Sequence, residues 1–163
     1  MLNFHRTNGF RVSIERLPNF IFTTQQVQIP GINLGMAPVP NSFVQVKEPG
    51  DTIQFESIQI TFPLLEDFSN YIEIYRWIIG LGFPQTRKQF EHIFKEGEKS
   101  RIIIHVLDSE ENVSMSFTFH DAFPSGLSAL PLDVSVMTQE PIQVTAMFEY
   151  TYFDIDVDID NVK

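Results

Sequence analysis

Four aspartates at every second position, Asp154, Asp156, Asp158 and Asp160, punctuate the closing stretch FDIDVDIDNVK of this 163-residue sequence. Alternate carboxylates resemble the early ligands of a calcium loop. However, Ile159 stands where such a loop requires glycine, and no glutamate follows to close it, so calcium binding is not expected there. The four histidines, His5, His92, His105 and His120, fall in different segments without the short spacings of a metal site. The sequence contains no cysteine, which removes disulfides, thiolate metal sites and a thiol nucleophile together. Neither GxSxG nor a P-loop is present. A carboxylate pair for glycoside chemistry forms only by folding, and among 21 acidic residues such a coincidence carries no information. The expectation is a protein without catalytic residues, metal site or cofactor.

Charge narrows the choice further. The formal net charge is -10, and it is unevenly placed: residues 1–101 hold ten basic and ten acidic residues, while residues 102–163 hold eleven acids against Lys163 alone. Such a surface repels phosphate at short range. With no Lys/Arg stripe interleaved with aromatics, sequence-specific nucleic-acid binding is not expected. No window approaches the roughly 18–20 apolar residues of a membrane helix, and MLNFHRTNGFRV lacks the apolar centre of a signal peptide. Folding in a cytoplasm without membrane insertion is therefore expected.

The elements that position these residues are mostly strands. In FRVSIERL, Phe10, Val12 and Ile14 alternate with polar residues, and FIFTTQQVQI follows the Pro18-Asn19 turn; the two predict an antiparallel hairpin. Pro30 to Gly50 is rich in proline and glycine, which predicts a long extended loop with a short strand at Phe43–Val46. In TIQFESIQITF the apolar phase slips between Phe55 and Ile58, predicting a bulge or corner at Glu56-Ser57. The period then changes: Phe68, Ile72, Tyr75 and Ile79 predict a helix over about Asp67–Ile79, with Asp67 as N-cap and Gly80 or Gly82 as the stop. Trp77, Tyr71 and Tyr75 at helical spacing read as core or interface residues. Residues 83–99 read as a polar, locally basic and partly helical loop. RIIIHVL, VSMSFTF, a short strand at Val134–Met137 and a long final strand from Ile142 to at least Phe153 complete the pattern, with Asp108–Asn112 as a turn. In VSMSFTF, Val113, Met115, Phe117 and Phe119 are the inward set. The fold class is mainly β (α+β), with antiparallel sheets and one flanking helix.

In order and length, these segments resemble the tail tube proteins of contractile-tailed bacteriophages. The resemblance runs through FTTQQVQIPGI, GDTIQFESIQITFPLLEDFSNYIEIYRWI and SFTFHDAFPSGLSALPLDVSVMTQEPIQVTAMFEYTYF, with Gly50-Asp51, Trp77 and Phe123-Pro124 where that family's pattern places them. It implies an antiparallel β-sandwich or barrel-like domain over residues 1–153, followed by an acidic tail at 154–163. It further implies homohexameric rings stacked into a tube, DNA passing through the lumen without specific binding, tail sheath and baseplate proteins as partners, and residence in the virion after assembly in the host cytoplasm. The acidic tail and the basic insert Gln85–Lys99 depart from that pattern. They leave open a tube-initiating baseplate protein or a type VI secretion-like tube component, and from a different class a β-sandwich binding module for glycans.

Three sets of residues are expected to act in assembly. Ser114, Ser116, Thr118, Gln143, Thr145, Glu149 and Thr151, outward on the closing strands and free of cations, are expected to line a lumen, with Arg87, Lys88, Lys95 and Lys99 outside it. Ile32, Leu34, Met36, Val39 and Phe43 are expected to contact a neighbouring ring. In the last strand the apolar phase switches between Tyr152 and Phe153. This predicts that a bulge resets it or that Ile155, Val157 and Ile159 leave their sheet as an assembly arm on an adjacent subunit.

Overall fold

The computed structural model describes residues 9–17, 20, 24–39, 43–44, 46–132 and 141–157. Strand β1 (Phe10–Ile14) pairs antiparallel with β6 (Ser100–Leu107), setting Phe10 against Val106 and Ile14 against Ile102. Strand β2 (Gln26–Gln28) pairs instead with β5 (Ile58–Pro63). Among the described residues, the hairpin expected between the first two strands is therefore not formed. Each strand has found a partner distant in sequence whose alternation matches its own, a choice that adjacency along the chain cannot reveal.

Strand β7 (Val113–Leu127) is the spine of the molecule. Its first half lies between β6 and β9 (Tyr152–Val157), and its second half pairs with β8 (Gln143–Glu149), which in turn pairs with β5. The expected single last strand is broken at Tyr150-Thr151, yet β8 and β9 follow the same edge of β7. Phe123 faces Glu149 and His120 faces Tyr152, so opposed residues keep one continuous register across the break. On β7 the inward set changes from Phe117 and Phe119 to Ala122 and Pro124, while across it Phe148 and Tyr150 give way to Phe153. Both strands turn the corner together. Asp121 takes a left-handed φ of 57°, Thr151 N–H donates to the His120 carbonyl at 3.0 Å, and the Thr151 hydroxyl donates to Asp121 Oδ2 at 3.3 Å.

The expected corner at Glu56-Ser57 is present: β4 (Val46–Phe55) ends there and β5 begins beyond it in another ladder. The expected loop at 30–50 is a correction. Ile32–Val39 is strand β3, and with β4 it makes a separate two-stranded ribbon. Phe43 and Val44 lie in a bend between them, so the strand placed at Phe43–Val46 begins only at Val46. The strand expected at Val134–Met137 lies outside the described residues.

Helix α1 (Ser69–Gly82) starts two residues later than expected and has Phe68 at its N-cap, in a left-handed conformation. Asp67 still serves the helix start, because its carboxylate accepts from the Ser69 N–H at 3.1 Å and hydroxyl at 2.9 Å. Those bonds hold its carboxyl below the usual range. The buried stripe is Asn70, Ile74, Trp77 and Gly80, whereas Tyr75 and Phe68 are exposed. The helix carries two neighbouring apolar stripes, and the one holding its tryptophan faces in. Trp77 lies 6.2 Å from Phe148, donates from Nε1 to the Glu98 carbonyl at 3.1 Å, and has the Arg16 guanidinium over its ring. The partly helical insert is a ten-residue helix, α2 (Arg87–Glu96), opened by a reciprocal capping box between Thr86 and Gln89. Its Ile93 is buried against Gly80 of α1, where a Cβ would approach within 2.5 Å.

Val12, Ile14, Phe20, Ile58, Ile60, Phe62, Ile74, Trp77, Ile102, Ile104, Phe119, Val144 and Phe148 share one core. Each contributes roughly 1.5–3 kcal/mol on leaving water, before the cost of ordering the chain is set against it. The subunit thus has the core of a folded domain without a partner.

Candidate assembly surfaces

The β3–β4 ribbon sets Ile32 opposite Phe55 and Leu34 opposite Ile53, which gives it one apolar face. Phe55 anchors that face to the body, with its ring 5.8 Å from Tyr150 and 5.7 Å from Phe153. Beyond the anchor the apolar side chains are bare: Leu34 is 53%, Met36 65% and Phe43 95% exposed. The register shifts between Leu34 and Met36, and there Gly50 crosses so close to Gly35 that a Cβ would lie 2.5 Å from the Gly35 carbonyl oxygen. Only glycine fits Gly50. Val39 ends β3, opposite Val46.

Phe153 also meets Phe117 and Phe119, and the same face of β9 continues into Ile155 and Val157, which are 51% and 45% exposed. The expected ring-contact residues and the expected arm residues therefore border one aromatic cluster, joined by Phe55 and Phe153. Ile159 lies outside the described residues. Within the protein, β9 pairs with β7, Asp154 opposite Thr118 and Asp156 opposite Ser116. Asp154 Oδ2 is 3.0 Å from His120 Nε2, and the His120 ring stacks on Tyr152 with centroids 4.5 Å apart. At the centre of the cluster the Tyr150 hydroxyl is buried and has no hydrogen-bond partner among the described residues. Desolvation, aided by the Glu149 and Glu56 carboxylates, pushes its phenol up to about 12.

The residues expected to line a lumen do not come together on one surface. Ser114, Ser116 and Thr118 belong to the outer face of the β1–β6–β7–β9 layer, beside Arg11, His105, Asp154 and Asp156; Ser116 Oγ lies 2.8 Å from His105 Nδ1. Gln143, Thr145 and Glu149 belong to the outer face of the β2–β5–β8 ladder, beside Gln26, Gln28, Gln59 and Thr61. There Thr145 and Thr61 share a 3.0 Å hydrogen bond, and Gln143 donates to Gln25 at 2.7 Å. Thr151 sits at the corner between them. The β2–β5–β8 face is mostly uncharged amide and hydroxyl, whereas the other mixes cations with anions. Arg87, Lys88, Lys95 and Lys99 lie on α2 or just after it, with Arg87 paired to Glu91 at 3.0 Å. No group of three or more His, Asp or Glu side chains among the described residues is arranged to hold a metal.

The packed β domain carries an apolar ribbon and a half-covered edge strand, and sequence comparison gives the family. The family model described as phage tail tube protein matches residues 4–156. The chain belongs to this family. Among curated proteins it is similar to the tail tube terminator protein of Enterobacteria phage T4, at 26% identity over 97% of this chain and 92% of that one. It is also similar to the tail tube protein of Serratia phage KSP90, at 26% identity over 93% of this chain and 84% of that one. Among solved structures, a chain in the tube-terminating cap of the anti-feeding prophage shares the fold, with a TM-score of 0.68 and 17% identity over 96% of this chain and 93% of that chain. The family match and the shared fold agree over most of the chain. The tail tube match ends inside β9, so the family pattern includes most of that strand.

The sequence reading missed the Phe55–Tyr150–Phe153 cluster. Its only trace was the pair of phase slips, at Phe55 to Ile58 and Tyr152 to Phe153, which mark where the two chain segments turn beside each other.

Proposed function

We propose that this tail tube protein is a non-catalytic, ring-forming subunit. Six copies close into a ring, rings stack into the tube of a contractile tail, and DNA leaves through the lumen without specific binding. One observation carries the reading. The domain buries a complete core and still exposes a contiguous apolar surface on β3, β4 and β9, which a stable monomer would not keep in water. Tail sheath and baseplate proteins are the expected neighbours, and the virion is the expected location. Electron microscopy and light scattering of the purified chain test this. Rings or tubes are the expected result; a stable monomer that binds glycan would replace the reading with a binding module.

A second reading is that the subunit terminates the tube. It is favoured by the near end-to-end match to the T4 terminator. Discrete rings that never elongate, and that halt growth of preformed tubes, would select the terminator; open-ended tubes would select the tube body. Rings that instead nucleate tubes would select a baseplate initiator, and transport of protein rather than DNA would select a secretion-like component.

A further inference from the structure

The Tyr150 hydroxyl is buried with no partner among the described residues, and the β3–β4 ribbon anchored beside it makes no ladder with the other strands described. A buried polar group left unpaired calls for another state in which it is paired. We propose that Glu56, at the root of the ribbon, is a two-position clasp: in the isolated subunit its carboxylate holds Asn33, and when the ribbon docks on a neighbouring copy it turns to accept from the Tyr150 hydroxyl. The proposal rests on the ring reading and adds how ribbon movement is coupled to assembly.

Position singles out Glu56. Desolvation raises the Tyr150 phenol first, and the two charges that raise it further are Glu149 and Glu56. Glu149 precedes Tyr150 in the chain but belongs to the outer face of β8, so alternation turns it away from the aromatic cluster. Glu56 instead follows Phe55, whose ring lies 5.8 Å from that of Tyr150, at the corner between the end of β4 and the start of β5. It is the carboxylate on the ribbon's own hinge.

The present hold is releasable. Asn33 Nδ2 donates to Glu56 Oε1 at 3.2 Å in an exposed position where water competes, and the Glu56 N–H donates to the Gly31 carbonyl at 3.3 Å. Gly31 faces the carboxylate without a side chain, and a Cβ there would lie 3.1 Å from Oε2 and 3.3 Å from Cδ. Room for the turn is built into the root. Because β3 and β4 pair with each other and with no other described strand, a shift of the ribbon carries Asn33 away from Glu56 without breaking a further ladder.

Docking supplies the drive. Leu34, Met36 and Phe43 stand bare on the ribbon, so covering them on a neighbour rewards the ribbon position that reaches it. The exchange of bonds favours the same direction. A neutral amide donor in water is given up for a hydroxyl bonded to a carboxylate in a desolvated site, and the second bond is the stronger.

A double-mutant cycle on Glu56→Ala and Tyr150→Phe, measured in two states of the full chain, tests the clasp. In assembly, followed as the concentration of half-assembly by analytical ultracentrifugation, each single change is expected to weaken the wild type by about tenfold or more, and the double change no further than either single one. In the dilute isolated subunit the urea midpoints of the same variants are expected to shift additively, because the bond is not made there. Asn33→Ala, which removes the hold and keeps the Tyr150 acceptor, is expected to assemble at lower concentration than the wild type; circular dichroism checks that each variant folds. Assembly that is unmoved by the single changes or weakened additively, or coupling already present in the isolated subunit, would overturn the clasp while leaving the ring reading intact. A chain that forms no ring at any concentration would overturn both.

Discussion

Tyr150 is the residue at which the core meets the exposed ribbon. Its ring packs on Phe55, Phe119 and Phe153, yet its hydroxyl is buried with no partner among the described residues. An unmet buried hydroxyl costs about 1–3 kcal/mol, so Tyr150→Phe should leave the isolated subunit as stable or more stable by about 1 kcal/mol, read from the urea midpoint. A clear loss would mean that the hydroxyl is satisfied in solution. The raised phenol also sets a pH response. The folded state holds its proton to about 12, while the unfolded phenol releases it near 10. The favourable contribution is complete below about pH 10 and is lost as pH rises through about 12. Wild-type stability should therefore fall more steeply than that of Tyr150→Phe across that window; parallel curves would place the phenol in water.

At the scale of elements, the ribbon β3–β4 shows why part of the fold was legible and part was not. Alternation in FRVSI, RIIIHVL and VSMSFTF identified strands because each has one face in the core and one outside. The segment from Pro30 to Gly50 looked like a loop because proline and glycine break most sheets. A two-stranded ribbon gives each strand one free edge, and Pro38 and Pro49, opposite Lys47 and Met36, are tolerated there. Likewise, the TRKQ capping box and Ile93 were visible as residues, but their helix needed Gly80 of α1 to dock upon. The surface sets were legible as exposed or apolar, whereas their grouping into separate faces depended on pairings across tens of residues. Gly50→Ala should separate the ribbon from the domain. Its Cβ meets backbone that cannot yield, so the crossing at Gly35 must open, while the core lies elsewhere. Global stability should change by less than about 1 kcal/mol, and ring stacking should fail in electron micrographs. Normal stacking by a folded Gly50→Ala chain would detach the ribbon from inter-ring contact.

For the whole molecule the question is whether the end of β9 belongs to the fold or to the assembly, and two changes made side by side separate these. Ile74→Ala removes a fully buried side chain between α1 and the sheets, and should cost about 2–5 kcal/mol with loss of cooperative unfolding near physiological temperature. Truncation after Phe153 removes a larger piece but touches the core less. Phe153 remains with Phe117 and Phe119, and the corner bond from Thr151 to His120 is kept. The residues lost from β9, Asp154 to Val157, contribute a ladder to β7, the His120–Asp154 contact, and two aliphatic side chains that are only half covered. An exposed side-chain contact of this kind adds at most about 1 kcal/mol, and half-covered aliphatics add about 1 kcal/mol each. The truncated chain should therefore fold, with a urea midpoint modestly below the natural one, and should fail to close rings, because the edge that carries Ile155, Val157 and the aspartates is gone. Normal rings from the truncated chain would return β9 to the fold alone. Unfolding as complete as that of Ile74→Ala would show that the edge strand is part of the core, and that the half-exposed face of Ile155 and Val157 is a cost the domain bears without a partner.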